Sequence, residues 1–91
     1  MAITVQIPPP MRELTGGKID VPVTGGTVKA CLDDLVVQFP AFKAKLFNAA
    51  GVLHPHINIL VNDEDIRFLD DADTAVAAGQ IVAILPAVAG G

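Results

Sequence analysis

The sequence predicts one α+β domain, a mixed sheet of four or five strands with one main helix packed on one face. Three observations carry this expectation. Three stretches alternate apolar and polar residues with a period of two, and a fourth is apolar on both faces. One stretch repeats apolar residues at helical spacing. The chain has 91 residues, room for one hydrophobic core, since a domain typically holds roughly 100–200 residues.

The elements follow in order. Ala2 to Ile7 places Ile3, Val5 and Ile7 on one face and Thr4 and Gln6 on the other, the pattern of a half-buried strand. Pro8-Pro9-Pro10 ends it, because proline cannot donate to a sheet ladder. Gly16-Gly17 is a turn signal, and Lys18 to Val23 forms the second strand, with Ile19, Val21 and Val23 on one side. Pro22 within it argues for an edge position. Gly25-Gly26 breaks the chain, and Thr27 can cap the following helix, although no Glu or Gln completes a capping box. Val28, Cys31 or Leu32, Leu35, Val36 and Phe39 form its apolar stripe.

Pro40 stops that helix or starts a short second one carrying Phe42, Leu46 and Phe47. Residues 48–55 read as loop. His56 to Asn62 is the third strand, with Ile57, Ile59 and Val61 on one face. Asp63-Glu64 turns the chain into a short strand, Asp65 to Phe68, followed by an acidic loop. Gly79 marks a turn, and Gln80 to Leu85 is the last strand. Val82 and Ile84 face one way, and Ile81, Ala83 and Leu85 the other. Such a strand fits the middle of a sheet. A sheet covered by one helix is the simplest way to bury these stripes. A late central strand beside the first gives the β-grasp topology of ubiquitin. Residues 1–91 then form one domain, with 86–91 as an extended, flexible C-terminal tail.

Composition narrows the function. Apolar residues make up 52% of the chain and mean hydropathy is +0.53, too greasy for intrinsic disorder. The longest apolar stretch, Ile81 to Ala89, is nine residues and contains Pro86, well short of the ~20 a membrane span needs. Six Lys and Arg against ten Asp and Glu leave a net charge of −4, a poor basis for gripping nucleic-acid phosphates. Four Phe, with no Trp or Tyr, leave no base-stacking platform. One cysteine, Cys31, excludes a disulfide framework and any four-cysteine metal centre. The N-terminus lacks the basic and long apolar regions of a signal peptide, so a cytoplasmic protein is expected.

The chemistry concentrates at the end of the chain. Pro86 follows the last strand directly, and Ala87, Val88, Ala89, Gly90 and Gly91 are small and uncharged. Glycines without a Cβ can thread a narrow channel. The reactive group is then the α-carboxylate of Gly91. A carboxylate is a poor electrophile, but an ATP-using partner can convert it to an acyl-adenylate. A sulfur donor can displace AMP and leave a thiocarboxylate, or a lysine amine can form an isopeptide. The chain has no phosphate loop of its own: Gly25-Gly26-Thr27-Val28-Lys29 lacks the required spacing, and Ala30 follows the lysine. ATP therefore belongs to a partner, and no bound cofactor or metal is expected. Ile81, Ala83 and Leu85, if outward, offer that partner a docking patch leading to the tail.

Several residues read as structural. Cys31 sits on the apolar stripe as a packed thiol rather than a sulfur relay. His54 and His56 lack a third ligand at matching spacing and read as loop and strand-start residues. Six of the ten acids lie between Asp63 and Asp73. They do not follow the EF-hand pattern, and read as a solvated face that can also steer docking to a basic surface.

The chain resembles the ThiS/MoaD family of ubiquitin-like sulfur carriers across essentially its whole length. The likeness rests on Met11-Arg12-Glu13-Leu14, Gly26-Thr27-Val28, Val61-Asn62 and the run from Gly79 to Gly91. Asn62-Asp63-Glu64-Asp65-Ile66-Arg67-Phe68 and Leu85-Pro86-Ala87-Val88-Ala89-Gly90-Gly91 are most similar to the branch that serves cysteine formation. The resemblance implies a carrier rather than an enzyme. A MoeB/ThiF/MoeZ-like adenylyltransferase/sulfurtransferase would adenylate Gly91, and a rhodanese-like domain or persulfide would supply sulfur. In that branch a PLP-dependent cysteine synthase makes an aminoacrylate from O-phosphoserine, which the thiocarboxylate attacks. After an acyl shift, a JAMM-type zinc peptidase releases cysteine. The alternatives are a molybdopterin synthase small subunit, a carrier for another sulfur metabolite, a ubiquitin-like modifier, or an interaction module with an inert tail.

Overall fold

Alternation in the first stretch produces β1, Ile3–Gln6, in a computed structural model that describes residues 2–54 and 56–86. Ile3 and Val5 are buried and Gln6 is exposed. After Pro8 the chain coils into a 3-10 segment, Pro9–Thr15, with proline in its first turn and Gly16 at φ 69° closing it. Met11 is buried there, and Leu14 packs against the core. The buried Thr15 hydroxyl lies 2.9 Å from the carbonyl oxygens of Arg12 and Lys18. β2, Asp20–Val23, returns antiparallel to β1. It lies at the sheet edge, where Pro22 costs no ladder bond.

The helical stripe becomes α1, Val28–Gln38, with Val28, Cys31, Leu32 and Leu35 buried. The Thr27 hydroxyl caps it by accepting the Ala30 N–H at 3.1 Å. A Cβ on Gly25 would come within 2.8 Å of the Cys31 nitrogen, so this glycine is needed for close approach to the helix. Pro40 separates α1 from α2, Phe42–Leu46, which buries Phe42 and Leu46. β3, Ile57–Val61, buries its odd-numbered residues. Asn62 and Asp63 at φ 47° and 69° turn it into β4, Glu64–Asp65.

The expected strand Asp65–Phe68 is corrected here. The Asp65 carboxylate accepts the Arg67 N–H at 2.9 Å and caps a 3-10 turn, Ile66–Phe68. Ile66 enters the core at 3% exposure, while Phe68 is 86% exposed. A second 3-10 turn follows at Asp71–Asp73. Segment 74–76 then straps the start of α1: Val28 N–H donates to the Thr74 carbonyl at 3.0 Å and Val76 N–H to the Gly26 carbonyl at 3.1 Å.

The last strand, β5, spans Ile81–Pro86. The sheet order is β2-β1-β5-β3-β4, with β5 parallel to β1 and antiparallel to β3. Val5, Val21, Ile59, Val82 and Ile84 from the sheet and Leu32 and Leu35 from α1 belong to one buried cluster. The fold is a ubiquitin-like β-grasp.

Candidate functional site: the strand that leads to the C-terminal tail

β5 occupies the middle of the sheet and delivers the chain to Pro86, which pairs with Ile57 of β3. Its alternation divides structure from surface. Val82 and Ile84 are 0% and 1% exposed beneath the helices. Ile81 and Leu85 on the other face are 39% and 44% exposed, and Ala83 is half-buried. The expected orientation of all five side chains is therefore observed. Ala87, Val88, Ala89, Gly90 and Gly91 lie outside the described residues, as does the side chain of Pro86.

The neighbouring strands complete this open face. Thr4 stands beside Ile81 and Gln6 beside Ala83, while β3 places Leu60 beside Ala83 and Asn58 beside Leu85. One row crosses all five strands as Asp20, Gln6, Ala83, Leu60 and Asp65. The face is thus apolar along its centre and acidic at both edges. Leu60 and Asp20 were not singled out from the sequence, whereas Asp65 belongs to the acids expected to steer docking. The signal existed, because assigning Ile57, Ile59 and Val61 inward leaves Leu60 outward. The cross-strand register that joins it to Ala83 did not show in the pattern.

Two polar devices fix the start of β5. Asn62 Oδ1 accepts the Ile81 N–H, and Asn62 N–H donates to the Ile81 carbonyl, both at 3.0 Å. Gln80 Oε1 accepts the Ala77 N–H at 2.6 Å across the turn at Gly79, whose φ is 86°. At the other end, Arg67 Nη2 donates to the Ile57 carbonyl at 3.4 Å, opposite Pro86. The imidazoles of His54 and His56 stack with centroids 5.0 Å apart, and His54 Nε2 lies 3.1 Å from the Ala44 carbonyl oxygen.

No group of three His, Cys, Asp or Glu side chains among the described residues could hold a metal ion. Cys31 is fully buried on α1. Desolvation, and secondarily the Asp34 carboxylate, push its thiol above the ordinary value of 9.0. A buried, protonated thiol is a packing group, not a nucleophile. No helix in the described residues is long and apolar enough to cross a membrane.

The arrangement is therefore a ubiquitin-like domain whose central strand carries an open apolar face as far as Leu85, next to Pro86. The ThiS family model matches residues 5–91, and the chain belongs to that family. It is 44% identical over its full length to the whole of the sulfur carrier protein CysO of Mycobacterium tuberculosis. It is 37% identical, over 89% of this chain and 91% of the relative, to small archaeal modifier protein 1 of Haloferax volcanii. Among solved structures, the BexX/CysO complex of Amycolatopsis orientalis contains a chain that superposes with a TM-score of 0.91 and 43% identity. That match covers 99% of this chain and 100% of the other.

Proposed function

We propose that this protein is a sulfur carrier that works through the α-carboxylate of Gly91. The observation that carries the reading is the open face of β5, with Ile81, Ala83 and Leu85 outward and the chain leaving at Pro86. Full-length similarity to a sulfur carrier supports it. A MoeB/ThiF/MoeZ-like partner docks on the apolar centre of the sheet and draws residues 86–91 into its nucleotide site. A Gly91 carboxylate oxygen attacks the α-phosphorus of ATP and pyrophosphate leaves. A partner persulfide then displaces AMP at the acyl carbon to give an acyl disulfide. A second partner thiol attacks the partner's own sulfur in that disulfide, forming a disulfide within the partner and releasing the acyl sulfur. The product is a thiocarboxylate, and ATP and the sulfur donor remain the partner's.

The acceptor we propose is the aminoacrylate that a PLP-dependent cysteine synthase forms from O-phosphoserine. The thiocarboxylate sulfur adds to its β-carbon, an acyl shift from sulfur to nitrogen links cysteine to Gly91, and a JAMM-type zinc peptidase hydrolyses that bond. The setting for these partners is cytoplasmic.

Intact mass spectrometry tests the first step. Co-expression with an activating enzyme of this type should add the mass difference between sulfur and oxygen, located on Gly91. No mass change with any such enzyme, together with normal function after deletion of Gly91, would sink the reading. A second reading rests on the similarity to an archaeal modifier: an isopeptide to a lysine of another protein. Ladders of larger covalent species under the same conditions would favour it. Offering the thiocarboxylate to a molybdopterin synthase large subunit with precursor Z separates the cysteine route from the molybdopterin route.

A further inference from the structure

An apolar cavity of about 380 Å³ opens on the helix side of the domain, away from the open sheet face. Leu32, Phe47, Leu53, Ile57 and Ile66 wall it. Lys29, Arg67 and Asp71 stand at its rim, and a second depression that shares Phe47, Gly51 and His54 brings Lys43 alongside. Immediately beyond Arg67 stands Phe68, 86% exposed, followed by Leu69 at 39%. Scattered surface apolar residues need no explanation. This one stands next to an empty space of suitable chemistry. A cavity of roughly 150 Å³ lined by aliphatic and aromatic side chains holds a benzene ring.

We propose that Phe68 of one copy enters this cavity in a second copy, and reciprocally, forming a weak two-fold dimer. Two features favour a second copy over an unrelated protein. Phe68 directly follows Arg67, which lines the cavity, so ring and cavity are neighbours, as a self-complementary two-fold contact requires. Charge also matches: Phe68 is flanked by Glu64, Asp65, Asp70 and Asp73, while around the cavity Lys43, Arg67 and Lys29, the last paired with Asp33 at 2.9 Å, outweigh the single acid Asp71. Ile81 and Leu85 are exposed on the opposite face of the sheet, so such a dimer leaves both open faces available. The contact is smaller than a standard protein interface, so the dimer forms only at high concentration.

Sedimentation equilibrium of the full chain from about 20 μM to about 1 mM tests this. The weight-average mass should rise towards two copies with concentration, and the rise should shrink on adding salt. Phe68→Ala should remain monomeric with an unchanged melting temperature, because the ring packs on nothing in the isolated chain. Val52→Trp, at the cavity mouth, should also remain monomeric. Mixing the two variants can re-form one of the two contacts, so any association of the mixture should be weaker than that of wild type. A monomer at every concentration overturns the proposal. So does a dimer that survives Phe68→Ala or Val52→Trp. None of these outcomes bears on thiocarboxylate formation, so the carrier function is tested separately.

Discussion

Asn62 and Ile81 hold each other through both backbone and side chain. The Asn62 carboxamide oxygen accepts the Ile81 N–H while the Asn62 N–H donates to the Ile81 carbonyl, each at 3.0 Å. Asn62 adopts φ 47°, a left-handed conformation that asparagine tolerates better than most residues. The pair sets where the central strand starts, and therefore where it ends and delivers the tail. Asn62→Ala should lose the side-chain bond and add backbone strain, for a destabilisation of about 1.5–3 kcal/mol. In a domain of this size each kcal/mol lowers Tm by roughly 4–8 °C. Asn62→Gly relieves the strain and keeps only the loss of the bond, so its melt should fall between wild type and Asn62→Ala.

Leu85→Asp separates surface from core. Leu85 is 44% exposed on the open face, so the variant should melt close to wild type. A charge in the apolar centre of a docking patch should lower kcat/KM for the activating partner about 10–100-fold, the cost of a buried interface anchor. ATP–pyrophosphate exchange measures it. Val82→Ala, one strand face away at 0% exposure, should do the reverse: a loss of about 1–3 kcal/mol in stability with near-normal exchange by the folded protein. If Leu85→Asp leaves exchange unchanged, the open face is not where the partner docks.

Gly25→Ala and Gly26→Ala should differ sharply although the residues are adjacent. A Cβ at Gly25 would lie 2.8 Å from the Cys31 nitrogen and 2.9 Å from the Ala30 Cβ, whereas nothing lies within 4 Å of one at Gly26. The helix start would have to shift for Gly25→Ala, at about 1–3 kcal/mol. Gly26→Ala should stay within about 0.5 kcal/mol of wild type. Urea denaturation with equal m-values resolves the two. The glycine pair is thereby explained by packing rather than by a phosphate.

These residues also show what the sequence could reveal. An apolar run on both faces marked β5 as a central strand, and strand geometry sorted its side chains correctly. Thr27 and the stripe of α1 were equally plain, since a cap and a 3.6-residue repeat are local signals. Phe68 was misleading: Ile66 and Phe68 alternate as in a strand, yet the Asp65 carboxylate bends the chain and exposes the ring. The segment Pro9–Thr15 left no periodic trace, because a short 3-10 helix has none. The row from Asp20 to Asp65 depends on register between strands distant in sequence, which no local pattern encodes. Ala87 to Gly91 declared themselves by composition, but their partner must be identified by chemistry.

Cys31 gives a pH dependence with a definite sign. Burial raises the thiol pKa in the folded state above 9.0, so the folded domain favours the protonated thiol more than the unfolded chain does. The resulting stabilisation is complete below the unfolded value and is lost as pH rises through the folded one. Wild type should therefore lose unfolding free energy more steeply above pH 9 than Cys31→Ala. Native protein should resist iodoacetamide until unfolded. Cys31→Ala should still form the thiocarboxylate at the wild-type yield. A loss of yield without a loss of folded protein would place sulfur on Cys31 during transfer.

Asp63 and Asp71 share the left-handed backbone of Asn62, at φ 69° and 50°, without its compensating strand clamp. The Asp63 side chain belongs to the exposed turn between β3 and β4, and Asp71 to an exposed turn before Asp73. For an L-residue this conformation costs about 1 kcal/mol or more relative to glycine, partly offset because glycine gains entropy when unfolded. Asp63→Gly and Asp71→Gly should each raise stability by about 0.5–1 kcal/mol, while Asn62→Gly lowers it. The two gains should add in the double variant, because the turns are separate. Each substitution also removes one acid from a chain of net charge −4, so the comparison belongs at high salt, where surface repulsion is screened. If Asp63→Gly or Asp71→Gly melts below wild type there, that aspartate supports its turn through its side chain and the backbone cost is already offset.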